Sequence, residues 1–404
     1  MNTQSTNHAA LTGFDTITAD ALRAVGHLKW TINGPDKLGA CAAEADYGLA
    51  PVIGAALTAA IARGSVGYLP PSVEADLREA CAAWQKDSHG WDIAPSDVQL
   101  LPDVVRAYHI AIQHFSRPGS PVIVPVPAFM PFLTIPQLLG RDVLPVPMTH
   151  AGGYYTYDLE ALDRAFAAGG HLLLLCNPHN PTGRVLQRHE LVAISKVVEQ
   201  HGGRVFSDEV HAPLVYFGHQ HIPYATLSSA TAAHTLTATS ASKAWNLAGL
   251  KCAQMLLSNE ADRDHWQTLG RLATDGTSIL GVVAGIAAFR EGQPWLNEVL
   301  AYLNGNRHLL QELLAEHLPR AAYTPPEGTY LGWVDLRATQ LPENLGLEDF
   351  FATHAGVTTV DGAHCGAPGR GFVRLNFATT RELLARIVSR MAETVRGYRA
   401  SPEI

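Results

Sequence analysis

The feature that most constrains the fold is an alternation of short apolar runs with helical patterns through the middle of the chain. The apolar runs cover residues 121–126, 142–147, 171–176, 203–208, 233–240 and 252–258. Apolar residues recur at helical spacing over 103–115, 191–202 and 279–292. Buried strands that alternate with helices are typical of a mostly parallel sheet with helices on both faces. The pattern therefore predicts an α/β fold.

The pattern changes after about residue 294. A long helical pattern over 296–318 leads into two alternating stretches, 327–336 and 371–378, which are typical of a smaller α+β domain. A chain of 404 residues also exceeds one ordinary hydrophobic core. We predict an N-terminal arm with part of the small domain over 1–54, a large domain over 55–293 and a small C-terminal domain over 294–404.

Composition excludes several classes of function. The formal net charge is −8 and no run of Lys or Arg stands out, which argues against nucleic-acid binding. The five cysteines are scattered and never paired as C-x-x-C, as in a reduced protein without a disulfide scaffold or a zinc site. The first twenty residues lack the apolar core of a signal peptide, and no apolar run is long enough to span a bilayer. We expect a cytoplasmic protein with no metal site, nucleic-acid partner or membrane association.

Polar side chains follow three of the predicted strands, where each strand ends. Asn180 lies in NPHNPTG after the run that ends at residue 176, Asp208 ends the next run, and Lys243 follows the run that ends at residue 240. Ligands of open α/β sheets bind at the carboxyl ends of the strands. Taken alone, NPHNPTG is an ordinary turn and an aspartate is most often a cap or an ion-pair partner.

The carboxylate and the lysine together have a more specific interpretation. They match two functional groups of a pyridoxal phosphate site. Asp208 keeps the pyridine nitrogen protonated, and Lys243 forms an imine with the aldehyde. A Schiff-base lysine needs a lowered pKa, which a buried, cation-rich site provides. Asn180 and His211 are placed to reach the phenolic oxygen of the ring. Phe129 can stack on the ring, although simple core packing explains it equally well.

The same hypothesis needs a phosphate site and a carboxylate site. A helix that begins after residue 102 offers backbone N–H groups to a phosphate. Arg374 lies on an alternating strand, where an inward guanidinium needs an anion such as an amino-acid carboxylate. The candidate phosphate contacts are the helix start at Pro102, Asp103 and Val104, the hydroxyls of Ser240 and Ser242, the ammonium of Lys251 and, from a neighbouring subunit, the hydroxyl of Tyr68.

Several strings extend this pattern over nearly the whole chain. They are NPHNPTGRV, SDEVHAPLVYFGHQHIPYATL, SASKAWNLAGLK, EGTYLGWVDLR and GFVRLNFATTRELL, with HLKW and AEADY near the N-terminus. The chain resembles fold-type I pyridoxal phosphate enzymes of the class I/II aminotransferase superfamily. Within that superfamily it is most similar to the MalY/PatB group of cystathionine β-lyase-type C–S lyases.

The resemblance implies an aspartate-aminotransferase-like fold with a mostly parallel seven-stranded sheet. It also implies a homodimer with the active site at the subunit interface. Lys243 is then the Schiff-base lysine, Asp208 the pyridinium partner, Arg374 the carboxylate clamp and Tyr68 the phosphate contact from the partner subunit. Asp46, in AEADY, is assigned to the substrate side together with Asn180.

The sequence departs from the group at several positions. Asp103 stands where relatives often have Gly, and a carboxylate there would repel a phosphate unless it turns away to cap the helix. Phe129 replaces a frequent Tyr, which leaves more of the acid–base work to Lys243. LGACAAEAD (38–46) replaces a stretch similar to LPLWVADMD, and Cys365 replaces a frequent Phe. Cofactor binding is expected to be intact, whereas the substrate is expected to be unusual.

The resemblance predicts β-elimination from a cysteine S-conjugate, which yields a thiol, pyruvate and ammonia. A bulky S-conjugate from a natural-product pathway, such as antibiotic biosynthesis, would suit the departures. The first alternative is an aminotransferase, or a decarboxylating or oxidative enzyme, since the fold does not decide the outcome. His211 with Lys251 favours the lyase, because aminotransferases of this fold often have Tyr and Arg there. The second alternative is a non-catalytic regulatory protein that carries the cofactor.

Overall fold

The structure is a computed structural model that describes residues 13–32, 34, 36–342 and 345–400. The prediction that no signal peptide is present concerns the first twenty residues, of which the first twelve lie outside the described part. Among the residues described, no helix combines the length and the hydropathy needed to cross a membrane.

The strands are β1 (Leu38–Gly39), β2 (Val98–Leu101), β3 (Val122–Val126), β4 (Val143–Pro147), β5 (Thr149–Ala151), β6 (Tyr154–Thr156), β7 (Leu172–Cys176), β8 (Arg204–Asp208), β9 (Thr235–Thr239), β10 (Ala253–Leu257), β11 (Ala322–Tyr323), β12 (Leu331–Asp335), β13 (Val357–Thr358), β14 (Val360–Asp361) and β15 (Phe372–Asn376). The helices are α1 (Ala19–Val25), α2 (Leu28–Thr31), α3 (Pro51–Ala62), α4 (Pro71–His89), α5 (Val104–His114), α6 (Met130–Leu138), α7 (Leu159–Ala167), α8 (Arg188–Gln200), α9 (Ser229–His234), α10 (Glu260–Leu269), α11 (Arg271–Thr274), α12 (Ile279–Glu291), α13 (Gln293–His317), α14 (Leu347–Phe350) and α15 (Arg381–Ala400).

The large sheet has seven strands in the order β2-β10-β9-β8-β7-β3-β4. Strand β10 is antiparallel to both of its neighbours, and all other neighbouring pairs are parallel. The predicted α/β class and the mostly parallel seven-stranded sheet are therefore confirmed. Each of the six apolar runs forms a strand, but the prediction that all six are buried is wrong for β4, because it lies at the edge of the sheet and is only partly covered. The sequence pattern missed β2 altogether.

Helices cover both faces of this sheet, so that a separate hydrophobic core lies on each face. Alternate residues of β7 point into the two cores. Leu172 and Leu174 of β7 pack in the core that includes residues of α5 and α6. Leu173 and Leu175 pack on the other face, with residues of α7 and α8. A strand apolar on both sides needs this double cover, which explains why β7 has no polar residue before its end.

The C-terminal part forms a second sheet of four antiparallel strands in the order β11-β12-β15-β14. The N-terminal segment joins this part, since β1 pairs in parallel with β13, and Leu38 lies opposite Val357. The predicted boundary at residue 54 falls inside α3, and the boundary at residue 294 falls one residue after α13 begins. The division into domains at these positions stays a prediction.

Candidate active site

The carboxyl ends of β7, β8 and β9 meet at one cavity of about 200 Å³. Strand register causes this, because Cys176 at the end of β7 lies opposite Asp208 of β8, and Asp208 lies opposite Ala238 of β9. The predicted site residues that line the cavity are Pro102, Asp103, Val104, Phe129, Asn180, Asp208, His211, Ser240, Ser242, Lys243 and Lys251.

Asp208 is a buried carboxylate in the cavity wall. Its Oδ1 accepts a hydrogen bond from the backbone N–H of Val210 at 3.1 Å. Burial raises the pKa of Asp208 to about 7, against the opposing effects of that hydrogen bond and of Lys243. A buried carboxylate with so little compensation favours a cationic partner in the cavity.

Lys243 faces Asp208 in the same cavity. Its Nζ donates to the carbonyl oxygen of Ala43 at 3.1 Å. Burial and, to a smaller extent, the charge of Arg374 lower the pKa of Lys243 to about 8, against the opposing effect of Asp208. A considerable fraction of the amine is thus neutral at mildly alkaline pH, which is the form that reacts with an aldehyde.

Arg374 is buried on β15, and its guanidinium is only partly satisfied. Nη1 donates to Oδ1 of Asn180 and Nη2 to the carbonyl oxygen of Cys41, both at 3.1 Å. Nε has no hydrogen-bond partner within the described part of the chain. A buried guanidinium with an unused donor is suited to bind the carboxylate of a small ligand.

His211 lies on the loop after β8, in contact with the cavity. Burial lowers the pKa of His211 to about 3, and the charges of Lys243 and Arg374 act in the same direction. The imidazole is therefore neutral at physiological pH. Nδ1 has no partner among the residues that the structure describes, which leaves it able to bond with a ligand.

The opposite end of the cavity is formed where α5 begins. Asp103 caps this helix by accepting from the backbone N–H of Arg106 at 2.7 Å, which is one of the two arrangements that the sequence left open. Its Oδ2 accepts from Nζ of Lys251 at 3.0 Å. The hydroxyl of Ser240 donates to the carbonyl oxygen of Cys252 and accepts from the backbone N–H of Ser242.

Three predicted residues do not line the cavity. Arg374 lies behind its wall, bonded to the lining residue Asn180. The assignment of Asp46 to the substrate side is not supported, because both its oxygens are used in the core, by Nζ of Lys29 at 2.9 Å and by Nε1 of Trp30 at 2.9 Å. Tyr68 lies outside the cavity of its own chain, and its side chain is 98 % exposed. A role in the site of a partner subunit therefore stays a prediction.

Sequence reasoning missed part of the cavity wall. Ala43 accepts through its carbonyl oxygen from both Lys243 and the hydroxyl of Tyr330, the latter at 2.9 Å. A backbone carbonyl leaves no mark in the residue type, so no signal could have identified it. Val210 also lines the cavity, and it could have been inferred from its position two residues after Asp208.

The residues fit pyridoxal phosphate. Asp208 can pair with the ring nitrogen, Nδ1 of His211 and the amide of Asn180 can contact the ring oxygen, and Lys243 can reach the aldehyde. Phe129 supplies an apolar lining residue, and the helix start at Asp103 offers backbone N–H groups to a phosphate. Within the described residues, no cluster of His, Cys, Asp or Glu is arranged to hold a metal ion.

This fold and this site define a pyridoxal phosphate-dependent enzyme. The chain belongs to the aminotransferase class I and II family, whose sequence profile matches residues 35–391. It is 38 % identical to a cystathionine β-lyase of Corynebacterium glutamicum, over 91 % of this chain and 96 % of the relative. It is 32 % identical to the cystathionine β-lyase PatB of Bacillus subtilis, over 89 % and 95 %.

A solved structure supports the same placement. Cystalysin from Treponema denticola, which contains a pyridoxal 5′-phosphate cofactor, superposes with a TM-score of 0.89 at 26 % identity, over 96 % of this chain and 100 % of that chain. The predicted resemblance to the cystathionine β-lyase group and the predicted cofactor are therefore confirmed.

Proposed function

We propose that the protein is a carbon–sulfur β-lyase that cleaves a cysteine S-conjugate, with uptake of one water molecule, to a thiol, pyruvate and ammonia. The observation that carries the proposal is that Lys243 and Asp208 line one cavity, while the partly unsatisfied guanidinium of Arg374 is bonded to Asn180 in the wall of that cavity. The relatives named as cystathionine β-lyases support the choice of reaction.

The bound cofactor supplies an electron-withdrawing ring that stabilises negative charge at the α-carbon of an amino acid. The chain supplies the rest of the chemistry. Arg374 binds the substrate carboxylate through its free Nε donor, which fixes the α-carbon relative to the ring. Nζ of Lys243 leaves Ala43 and removes the proton from the α-carbon, because its lowered pKa lets it act as a base near neutral pH.

Asp208 and His211 act on the two sides of the ring. The carboxylate of Asp208, whose burial is costly without a cation, is stabilised by the protonated ring nitrogen and in turn keeps that nitrogen protonated. Neutral His211 can hydrogen-bond to the ring oxygen without adding charge. Both residues would therefore help a bound ring to withdraw electrons, which favours loss of a thiolate from the β-carbon.

The segment over 38–46 is the basis for proposing an unusual S-substituent. Its carbonyl groups contact the catalytic side of the site, through Cys41 to Arg374 and through Ala43 to Lys243. Small residues occupy positions 40, 42, 43 and 45 of this segment. Ala43 lines the cavity with a single methyl group, which supports the proposal of a bulky thiol, of the kind found in natural-product pathways.

We also infer that the protein is a homodimer and that it is located in the cytoplasm. Tyr68 and Leu272 are almost fully exposed, and Ile61 and Val66 are more than half exposed, so these four large apolar side chains have little cover from their own chain. The five cysteines are all free, as expected in a reducing compartment.

The experiment is a screen of S-substituted cysteines with the purified, cofactor-loaded protein. Pyruvate and thiol released in equal amounts, without any added keto acid, is the expected result. Amino transfer that depends on a keto acid would replace the proposal with the aminotransferase alternative. Cofactor binding without turnover of any amino acid would favour the regulatory alternative. Lys243→Ala is the control that must lose thiol release.

A further inference from the structure

The pairing of Asp103 with Lys251 is a consequence of strand register. Leu101, the last residue of β2, lies opposite Ala253, the first residue of β10. Asp103 comes two residues after Leu101, and Lys251 comes two residues before Ala253. The two side chains therefore meet at the same edge of the sheet. Their atoms Oδ2 and Nζ are 3.0 Å apart, in the wall of the cavity.

The backbone holds Lys251 in this place. Its φ of 50° and ψ of 69° lie in the left-handed region, which residues other than glycine adopt at a cost. Its carbonyl oxygen accepts from the backbone N–H of Ser278 at 3.0 Å. The start of the Lys251 side chain is therefore fixed beside α5, and its ammonium group has Asp103 as a close anionic neighbour.

Asp103 makes the contacts that an external anion would make at this corner. Oδ1 accepts from the N–H of Arg106 in the first turn of α5, and Oδ2 accepts from the ammonium of Lys251. The N-terminus of a helix attracts negative charge, and this helix of eleven residues already has one there. The carboxylate of Asp103 therefore occupies the position that a bound external anion would take.

We propose that Asp103 competes with the phosphate of the cofactor for Lys251 and for the start of α5. This inference rests on the proposed function, since it assumes that pyridoxal phosphate occupies the cavity. The charges of Asp103 and Lys251 cancel at this end of the site, so the phosphate gains less attraction than the lysine alone would give. The chain is thereby set for weaker, more exchangeable cofactor binding than the same site without the aspartate.

Asp103→Asn isolates the charge, because asparagine caps a helix about as well as aspartate. Asp158→Asn is the matched control, since Asp158 caps α7 by accepting from Ala161 N and does not line the cavity. Lys251→Gln removes the positive charge of the pair and tests its contribution to cofactor binding. The full-length protein is stripped of cofactor and titrated with pyridoxal phosphate, and binding is followed by tryptophan fluorescence. Competition by inorganic phosphate is measured in the same titration.

Asp103→Asn is expected to lower the dissociation constant for pyridoxal phosphate on the order of tenfold, and to make inorganic phosphate a better competitor. Lys251→Gln is expected to raise the dissociation constant, and Asp158→Asn to leave it unchanged. Binding by Asp103→Asn that is equal to or weaker than that of the wild type overturns the proposal, since Asp103 then only orients Lys251. A wild-type protein that binds no pyridoxal phosphate overturns the proposed function as well.

Discussion

Nη1 of Arg374 donates to Oδ1 of Asn180 at 3.1 Å, and this bond joins the small sheet to the loop after β7. A guanidinium can only donate, so the bond fixes which end of the amide faces Arg374. The amide nitrogen of Asn180 must then point elsewhere, as donation to the ring oxygen of the cofactor requires. One side chain thus connects the carboxylate site to the cofactor site.

Replacement of Arg374 by lysine is expected to lower kcat/KM for S-substituted cysteines by about a hundredfold, mostly through KM. A lysine keeps the charge but cannot reproduce the planar fork, whose two ends contact Asn180 and Cys41. Arg370→Lys is the control, because Arg370 is exposed on the approach to the same strand. Equal losses in the two variants would show that Arg374 is not the carboxylate clamp. Steady-state kinetics of thiol release provides the measurement.

The pH dependence of cofactor uptake is expected to follow Lys243. The neutral amine reacts with the aldehyde, so the rate of uptake rises with pH through about 8 rather than near the ordinary pKa of a lysine, 10.5. Arg374→Met removes a cation that lowers this pKa and is expected to move the midpoint to higher pH. The rate at which the bound cofactor's absorbance appears, measured from pH 6 to 10, tests both expectations. An unchanged midpoint in the variant would contradict the assigned cause.

Asp208→Asn is expected to stabilise the cofactor-free protein at alkaline pH. Burial raises the pKa of Asp208 from 3.8 to about 7, so its folded form holds a proton that the unfolded chain has released. This contribution to stability is fully present below about pH 4 and is lost as the pH rises through 7. The amide of Asp208→Asn does not titrate, so the variant keeps its stability as the pH rises. Its unfolding free energy should exceed that of the wild type by up to about 4 kcal/mol above pH 7.

Thermal unfolding of the cofactor-free proteins from pH 4 to 9 tests this expectation, with the exposed Asp142→Asn as the control. The melting temperatures of Asp208→Asn and wild type should converge at the acidic end and separate by a few degrees at the alkaline end. A variant that is less stable than wild type at every pH would contradict the interpretation. With the cofactor bound the order should reverse, because the ring nitrogen compensates the wild-type carboxylate only.

Much of the fold and part of the site could be predicted from the sequence, for physical reasons. Strand β7 is apolar on both faces, which marks it as a central strand, and Asp208 is an acidic residue at the end of the neighbouring β8. Strand β2 was missed because its four residues, VQLL, are too short to show a period. Asp46 was assigned to the substrate by its place in a motif, whereas its contacts with Lys29 and Trp30 depend on distant packing.

Tyr68 is expected to complete the site of the partner subunit. A mixture of Tyr68→Ala and Lys243→Ala subunits forms hybrid dimers in which one site carries both changes and the other carries neither. If equal amounts exchange freely, about a quarter of all sites become intact, since a two-fold dimer contains each contact twice. Thiol release should recover to about that fraction of the wild-type rate, although each variant alone is nearly inactive. No recovery after verified subunit exchange would contradict the contribution of Tyr68 in trans.

Asp46 is expected to stabilise the fold rather than to bind the substrate. Asp46 and Lys29 form an ion pair with both side chains fully buried, and Nζ of Lys29 also donates to the carbonyl oxygen of Ala378. Asp46→Asn leaves the ammonium without its counter-charge and is expected to cost about 3–5 kcal/mol of unfolding free energy. Adding Lys29→Met removes the stranded charge, so the double variant should be more stable than Asp46→Asn alone. Chemical denaturation gives the free energies, and thiol-release kinetics gives KM. A large rise in KM for Asp46→Asn that persists in the double variant with Lys29→Met would indicate that Asp46 contacts the substrate.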